Sequence, residues 1–201
     1  MVRNCLEFVW WKKQAGYQIT GGFKMDINHL FRPLRADEIE CRINQLKEGK
    51  RGNIGKVFAI CLLYKDARCD QRILDECVGP MNWQRRHYEH NGNLFCAIGI
   101  YDNGKKEWVW KEDAGSESNM DAQKGHASDS FKRAGTNWGI GRELYTPLFI
   151  YFQLQEGEYY RDPKGKLKSN SKFFVKSVYT ENGIIKKAEI VDRRGNVRWS
   201  C

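Results

Sequence analysis

Apolar residues at Ile39, Ile43 and Leu46 stand four and three positions apart, with Pro33 ahead of them and Gly49 behind. That spacing predicts a helix over 36–47. The run 56–64 is apolar and partly β-branched, and predicts a buried strand. Asp66 is placed to cap a helix running to Val78, with Cys69, Ile73 and Leu74 inward and Gly79-Pro80 as its stop. From 83 onward the pattern becomes alternating. Strands are predicted at 83–90, 94–101 and 106–112, the last carrying Trp108 and Trp110 in alternation. Asn91-Gly92-Asn93 and Asp102-Asn103-Gly104 are turn sequences, so the three strands read as an antiparallel meander. Ala127, Phe131, Ala134 and Trp138 then return to helical spacing, with Ser118 and Asp121 as a weak capping pair and Gly139 and Gly141 at the end. This stripe is expected to lie on the meander. Lys132 and Arg133 follow Phe131 by roughly 100° and 200° of helical rotation, which turns Arg133 away from the stripe.

Beyond Pro147 the chain changes character. Residues 157–171 are polar and lysine-rich and read as a linker or long loop. Residues 173–179, 184–191 and 197–199 read as short strands with turns at Glu181-Asn182-Gly183 and Arg194-Gly195-Asn196. The first 24 residues match no regular period. The expected fold class is α+β. It is a three-stranded antiparallel meander packed by the following helix (a β-β-β-α core), with a flanking helix and strand and a small basic β-rich C-terminal appendage. The expected division is an N-terminal extension at 1–24, a core at 25–150, and a basic linker with a small β region at 151–201.

Charge sharpens this picture. The chain carries a net +9, which suits an anionic partner such as nucleic acid. Residues 161–201 hold eleven cations against four acids, which is +7 of that total. A concentrated tail of this kind says more than the sum.

Candidate chemistry is sparse. The seven cysteines are odd in number and form no CxxC pair, so they read as small buried hydrophobes of a reduced protein. His87 and His90 are three apart in a strand-like run, with no second ligand pair near them in sequence. The loop GKRGNIGK fails as a phosphate-binding P-loop. Lys50 stands where the motif needs glycine, Val57 follows Lys56, and a strand follows where a helix is required. Its lysines still suit phosphate contact without sequence readout. Asp66, Asp75, Glu76, Asp113 and Asp121 are available for a metal-dependent nuclease, but Asp66 reads better as a cap and Asp75 as a solvated helix face. No run approaches the roughly 18 apolar residues a membrane span needs. The opening MVRNCLEFVWWKK lacks a small-residue cleavage site, so a cytoplasmic location without membrane contact is expected. On spacing alone, Lys132-Arg133 reads as a plain surface helix.

The segment ASDSFKRAGTNWGIGRELY resembles the signature helix of the Rad fifty-two family of single-strand DNA annealing proteins, where a Lys-Arg pair precedes a small residue, an aromatic and a glycine-flanked end. The resemblance runs upstream in order through RADEIECRIN, YKDARCDQRILDECVGPMNWQ and NGNLFCAIGIYDNGKKEWVWKEDAG, and covers about 34–145. The short form is more similar to the phage and prophage branch. What the resemblance implies is a non-enzymatic, cofactor-free protein. Such a protein forms homo-oligomeric rings, binds single-stranded DNA in a basic groove, and anneals complementary strands without ATP in recombination and double-strand break repair. Arg42, Lys132 and Arg133 are the groove cations it carries over, and Tyr64 the aromatic beside them. Thr136 stands where the family has a further cation. Lys56, Arg142 and the basic tail are candidates to supply that charge. A phage exonuclease or a single-strand-binding protein is the further partner it suggests. Two other functions remain open at this point: a monomeric single-strand protector and a metal-dependent nuclease.

Overall fold

The computed structural model describes residues 25–115, 122–146 and 148–201. The extension expected at 1–24 and the capping pair Ser118 and Asp121 lie outside the described residues. The order of elements is β1 (Glu40–Glu48), β2 (Val57–Tyr64), α1 (Ala67–Val78), β3 (Trp83–His90), β4 (Asn93–Asp102), β5 (Glu107–Ala114) and α2 (Ala122–Asn137). Then come β6 (Ile150–Gln153), β7 (Tyr160–Arg161), β8 (Leu167–Lys168), β9 (Phe173–Glu181), β10 (Ile184–Val191) and β11 (Val197–Ser200). The fold is mixed α+β, and its strand pairings are antiparallel among the described residues.

The central part follows the expected pattern. β3, β4 and β5 form a three-stranded sheet. Asn91 and Gly92 both adopt positive φ, the geometry a two-residue hairpin turn requires. α2 lays Phe131, Ala134 and the following Trp138 against Cys96, Ile98 and Ile100 of β4. The indole N–H of Trp138 donates to the Ile98 carbonyl at 3.0 Å, which satisfies the one polar atom this ring buries. α1 starts where Asp66 Oδ1 accepts from the Arg68 amide at 3.1 Å, and stops at Gly79 with φ of 86°. Asp75, expected on a solvated helix face, is not free: its Oδ1 accepts from the Trp83 indole at 2.7 Å.

The helix expected over 36–47 is instead a 3-10 turn at Ala36–Glu38 followed by β1. The cause is a β-bulge. Cys41 and Ile43 alternate on the inner face, and the register then slips between Ile43 and Gln45, leaving Asn44 as the extra residue. The slip returns Leu46 to the inner face, opposite Ala59. An interrupted period of two thus imitates the spacing of a helix. Arg42, expected on a helix, therefore sits on a strand.

The C-terminal strands are not an appendage beside the core. β9 pairs with β1 through Cys41 opposite Phe173 and Glu40 opposite Phe174. One sheet of six strands results, in the order β11-β10-β9-β1-β2-β6. It curls until its two edges touch. Arg198 of β11 donates to the Gln153 carbonyl of β6 at 3.0 Å and grips both oxygens of Glu158. Its guanidinium lies 5.5 Å from the centre of the Phe152 ring and 5.4 Å from that of Phe173. Residues 157–171, expected as a linker or long loop, hold the small β7–β8 hairpin beside β1.

Two cores result. One lies between the meander, the two helices and the 3-10 turn at Ile27–Phe31, with Leu30, Ile73, Leu74, Ile98, Phe131 and Ile140 almost fully buried. The other fills the curl of the large sheet with Ala59, Cys61, Ile150, Phe152, Phe173 and Ile190. Leu63 and Val175 touch both. Of the six described cysteines, all unpaired, those at 41, 61, 69, 77 and 96 are buried, as small hydrophobes should be, while Cys201 is exposed.

Candidate nucleic-acid interface

The six residues singled out by sequence fall into three places. Arg42 and Tyr64 come together on the outward face of the large sheet. The register puts Arg42 opposite Leu62 and Glu40 opposite Tyr64, so both residues share one face as diagonal neighbours. The Arg42 guanidinium lies 5.2 Å from the Tyr64 ring centre. The Tyr64 hydroxyl donates to Glu40. Burial and that carboxylate push it up to about 12, so it stays a neutral donor. Arg42 makes no ion pair among the described residues, and its charge faces solvent over an aromatic ring.

Lys132, Arg133 and Arg142 gather at α2 and the turn after it. Arg133 is not free: Asp113 of β5 accepts from its Nη2 at 3.3 Å and its Nε at 3.4 Å. Arg142 folds back on the end of α2, donating to the carbonyls of Thr136 at 2.7 Å and Asn137 at 3.1 Å. A cation there complements the negative end of the helix. It also sets the Arg142 charge beside Thr136, the position at which a compensating cation was expected. Lys132 is half-buried and has no hydrogen bond or ion pair among the described residues. The glycines that end this segment have internal reasons. Gly139 has φ of 104°, and a side chain there would run into the Phe31 ring. Gly141 has φ of 67° and packs against Leu34 and the stem of Lys65.

Under this surface lies a buried ion pair. Lys65 Nζ contacts Asp70 and also donates to the Ile140 carbonyl at 2.9 Å. The two side chains are 4% and 0% exposed. Burial pushes the Asp70 carboxyl up to about 6 against the pull of Lys65, and its Oδ2 has no hydrogen-bond partner. Gly135 is the reason α2 fits here, because any side chain would collide with the Asp70 carboxylate. Since Lys65 follows Tyr64 and Ile140 precedes Arg142 by two, this pair ties the two cation groups together. Between them lies a small apolar pocket of about 280 Å³ lined by Leu62, Tyr145 and Ile185 among others.

Lys56 stands apart. It lies at the far end of β2, eight residues from Tyr64, or about 26 Å at about 3.3 Å per residue. Its Nζ donates to Asn53 Oδ1 at 3.3 Å.

Sequence reasoning missed a third grouping. A cleft of about 830 Å³ runs along β1 between residues 43–50 and the β7–β8 hairpin. Lys47, Lys50, Arg161, Lys166 and Lys168 line it, and Glu48 is the one carboxylate among its lining residues. Arg161 pairs with Glu48. The four lysines have no ion-pair partner among the described residues. The edge of β1 here is open, since β9 pairs with it only at Glu40 and Cys41. Both basic segments are visible in the sequence, but the loop at 47–56 and the linker at 157–171 are more than 100 residues apart. Only the strand character of β1 brings them together.

His87, one of the two closely spaced histidines, turns its Nε2 to the Ala127 carbonyl at 3.2 Å. No group of three or more His, Cys, Asp or Glu side chains suited to a metal ion occurs among the described residues. None of the described helices is long and apolar enough to cross a membrane. Comparison of the chain with protein-family models, curated proteins and solved structures finds no match.

Proposed function

We propose that this protein binds single-stranded DNA through its sugar-phosphate backbone and anneals complementary strands without ATP. The observation that carries the binding is the cleft along β1, where four unpaired lysines from two distant segments face one paired carboxylate. Cations so placed neutralise successive phosphates and release counterions, which gives affinity without sequence preference. Arg42 and Tyr64 continue the same strand pair beyond the cleft. Annealing, and action as a homo-oligomeric ring in recombination, rest on the resemblance of 34–145 to the single-strand annealing proteins. Several copies in one assembly multiply weak contacts along a strand.

Fluorescence anisotropy with a labelled oligothymidine, repeated over a range of salt, tests the binding. Tight binding in dilute buffer that weakens steeply with salt is expected. Mixing complementary strands with the protein, without ATP or magnesium, tests the annealing. Faster duplex formation is expected, whereas slowed pairing marks a protector that coats strands without joining them. Absence of binding even in dilute buffer ends the reading.

A further inference from the structure

On the outward face of β2 and β6, three aromatic rings form a row. Tyr151 stacks on Phe58 with ring centres 4.9 Å apart and planes 8° from parallel, and on Phe149 at 5.8 Å and 18°. The register sets Tyr151 opposite Ile60 and Gln153 opposite Phe58, which is the face turned away from the inner core. Phe149 is 71% exposed and Tyr151 38%. Among the described residues nothing covers this end of the row, although β6 is an edge strand whose other face is used by Ile150 and Phe152.

The surroundings of the row are cationic. Lys47 stands opposite Phe58 across the β1–β2 ladder and also lines the basic cleft. Arg42 occupies the same face farther along β1. A flat ring open to solvent beside cations such as Lys47 and Arg42 offers the two parts of single-strand recognition: a π-face for a base and a charge for the adjoining phosphate. We infer that Phe149, at the open end of the row and backed by Tyr151, receives unpaired bases of a strand whose phosphates follow Lys47 into the cleft. The inference rests on the DNA-binding reading above and deepens it. Stacking occupies the face of a base and leaves its hydrogen-bonding edge free. A strand held this way stays ready to pair, which suits annealing better than a grip on the bases' edges. A second copy of this chain fits the face less well, because it brings another +9 of charge toward Lys47 and Arg42.

The test compares a labelled oligothymidine with an abasic oligomer of the same length, using the full chain. The native protein should prefer the base-bearing strand by about tenfold. The double variant Phe149→Ala with Tyr151→Ala should lose most of that preference and bind the abasic strand as the native chain does. Phe149→Ala alone guards against misfolding, since that ring lies mostly in solvent, and it should lose part of the preference. A double variant that keeps the full preference overturns the inference. So does a native chain that binds both oligomers equally, though the DNA-binding reading then survives. If the native chain binds neither, both fall. If sedimentation shows an assembly that the double variant dissolves while the base preference persists, the row is a self-contact and the inference is wrong.

Discussion

The helical half of the molecule and the curled sheet use their cations in opposite ways. Around the meander and its helices, several cations are engaged by the protein itself, with Lys132 as an exception among the described residues. Lys65 meets Asp70, Arg133 meets Asp113, and Arg32 holds Glu38 with two bonds of 2.7 Å. Lys111 reaches the Asn137 carbonyl at 2.9 Å, and Arg86 lies 4.2 Å from the Trp110 ring centre. On the curled sheet, Arg161, Lys176 and Arg198 are paired, but the lysines of the β1 cleft are not. A cation that completes an internal bond is a poor phosphate ligand, because binding must first break that bond. The half with the more recognisable motif is thus the better explained by folding, and the half without one carries the charge left for a partner.

The largest effect expected from this contrast lies in the helical half. Lys65→Met strands the Asp70 carboxylate in a dry site and should cost about 3–5 kcal/mol of stability. Chemical denaturation measures it as a fall in midpoint at constant slope. Adding Asp70→Leu should recover most of the loss, because a buried pair replaced by apolar groups is often neutral. A single variant as stable as the native chain would mean the pair does not anchor this half.

The matching break in the sheet is Arg198→Ala. It removes a charged grip on Glu158 and a bond to Gln153, and should cost about 2 kcal/mol. Hydrogen exchange should rise first in β6 and β11. Acidity acts on the same closure. The hydrogen bonds from Arg198 hold the Glu158 carboxyl below its ordinary range, against a smaller opposing effect of burial. Its contribution is therefore complete above the unfolded pKa of about 4.3 and disappears as pH falls through the lower folded value. Exchange in β6 and β11 should accelerate in that acid window in the native chain, and Arg198→Ala should show no such step. The same step in both proteins would assign the acid sensitivity elsewhere.

How much of this was legible follows the same divide. The meander, α1 and α2 follow from local pattern: Asn91-Gly92 for a turn, Asp66 for a cap, and Phe131, Ala134 and Trp138 for a buried stripe. The curled sheet does not, because its organising contacts are long-range. The bulge at Asn44 disguised β1 as a helix, and the pairing of Cys41 with Phe173 has no local signature. The site divides likewise. Arg42 and Tyr64 were each named from the resemblance; the structure sets them side by side, Tyr64 on the expected strand and Arg42 on a strand instead of the expected helix. Lys47, Lys166 and Lys168 could not be joined until β1 was a strand.

Binding measurements sharpen the comparison further. Lys166→Ala with Lys168→Ala should weaken single-strand affinity by roughly tenfold in dilute buffer. If each lysine neutralises one phosphate, the pair should flatten the slope of log affinity against log salt by about 1.4. Both side chains border open solvent, so the folded state should be unaffected. An unchanged slope would remove the cleft from the DNA path and leave only the outward face of β1 and β2.

The smallest effects decide between the halves. Arg133 is 40% exposed and its partner Asp113 29%, so breaking the pair by Arg133→Ala should cost only about 0.5 kcal/mol. Its guanidinium is already committed to that carboxylate, and the variant should bind single strands nearly as well as the native chain. Lys132→Ala removes a cation without such a partner and should flatten the salt slope by about 0.7 if it meets a phosphate. The order expected is therefore cleft lysines first, Lys132 second and Arg133 last. The reverse order, with Arg133→Ala the most damaging, would mean that DNA displaces Asp113 from Arg133. The groove would then follow α2, as the resemblance of its sequence implies, and the open lysines along β1 would be a solvated edge.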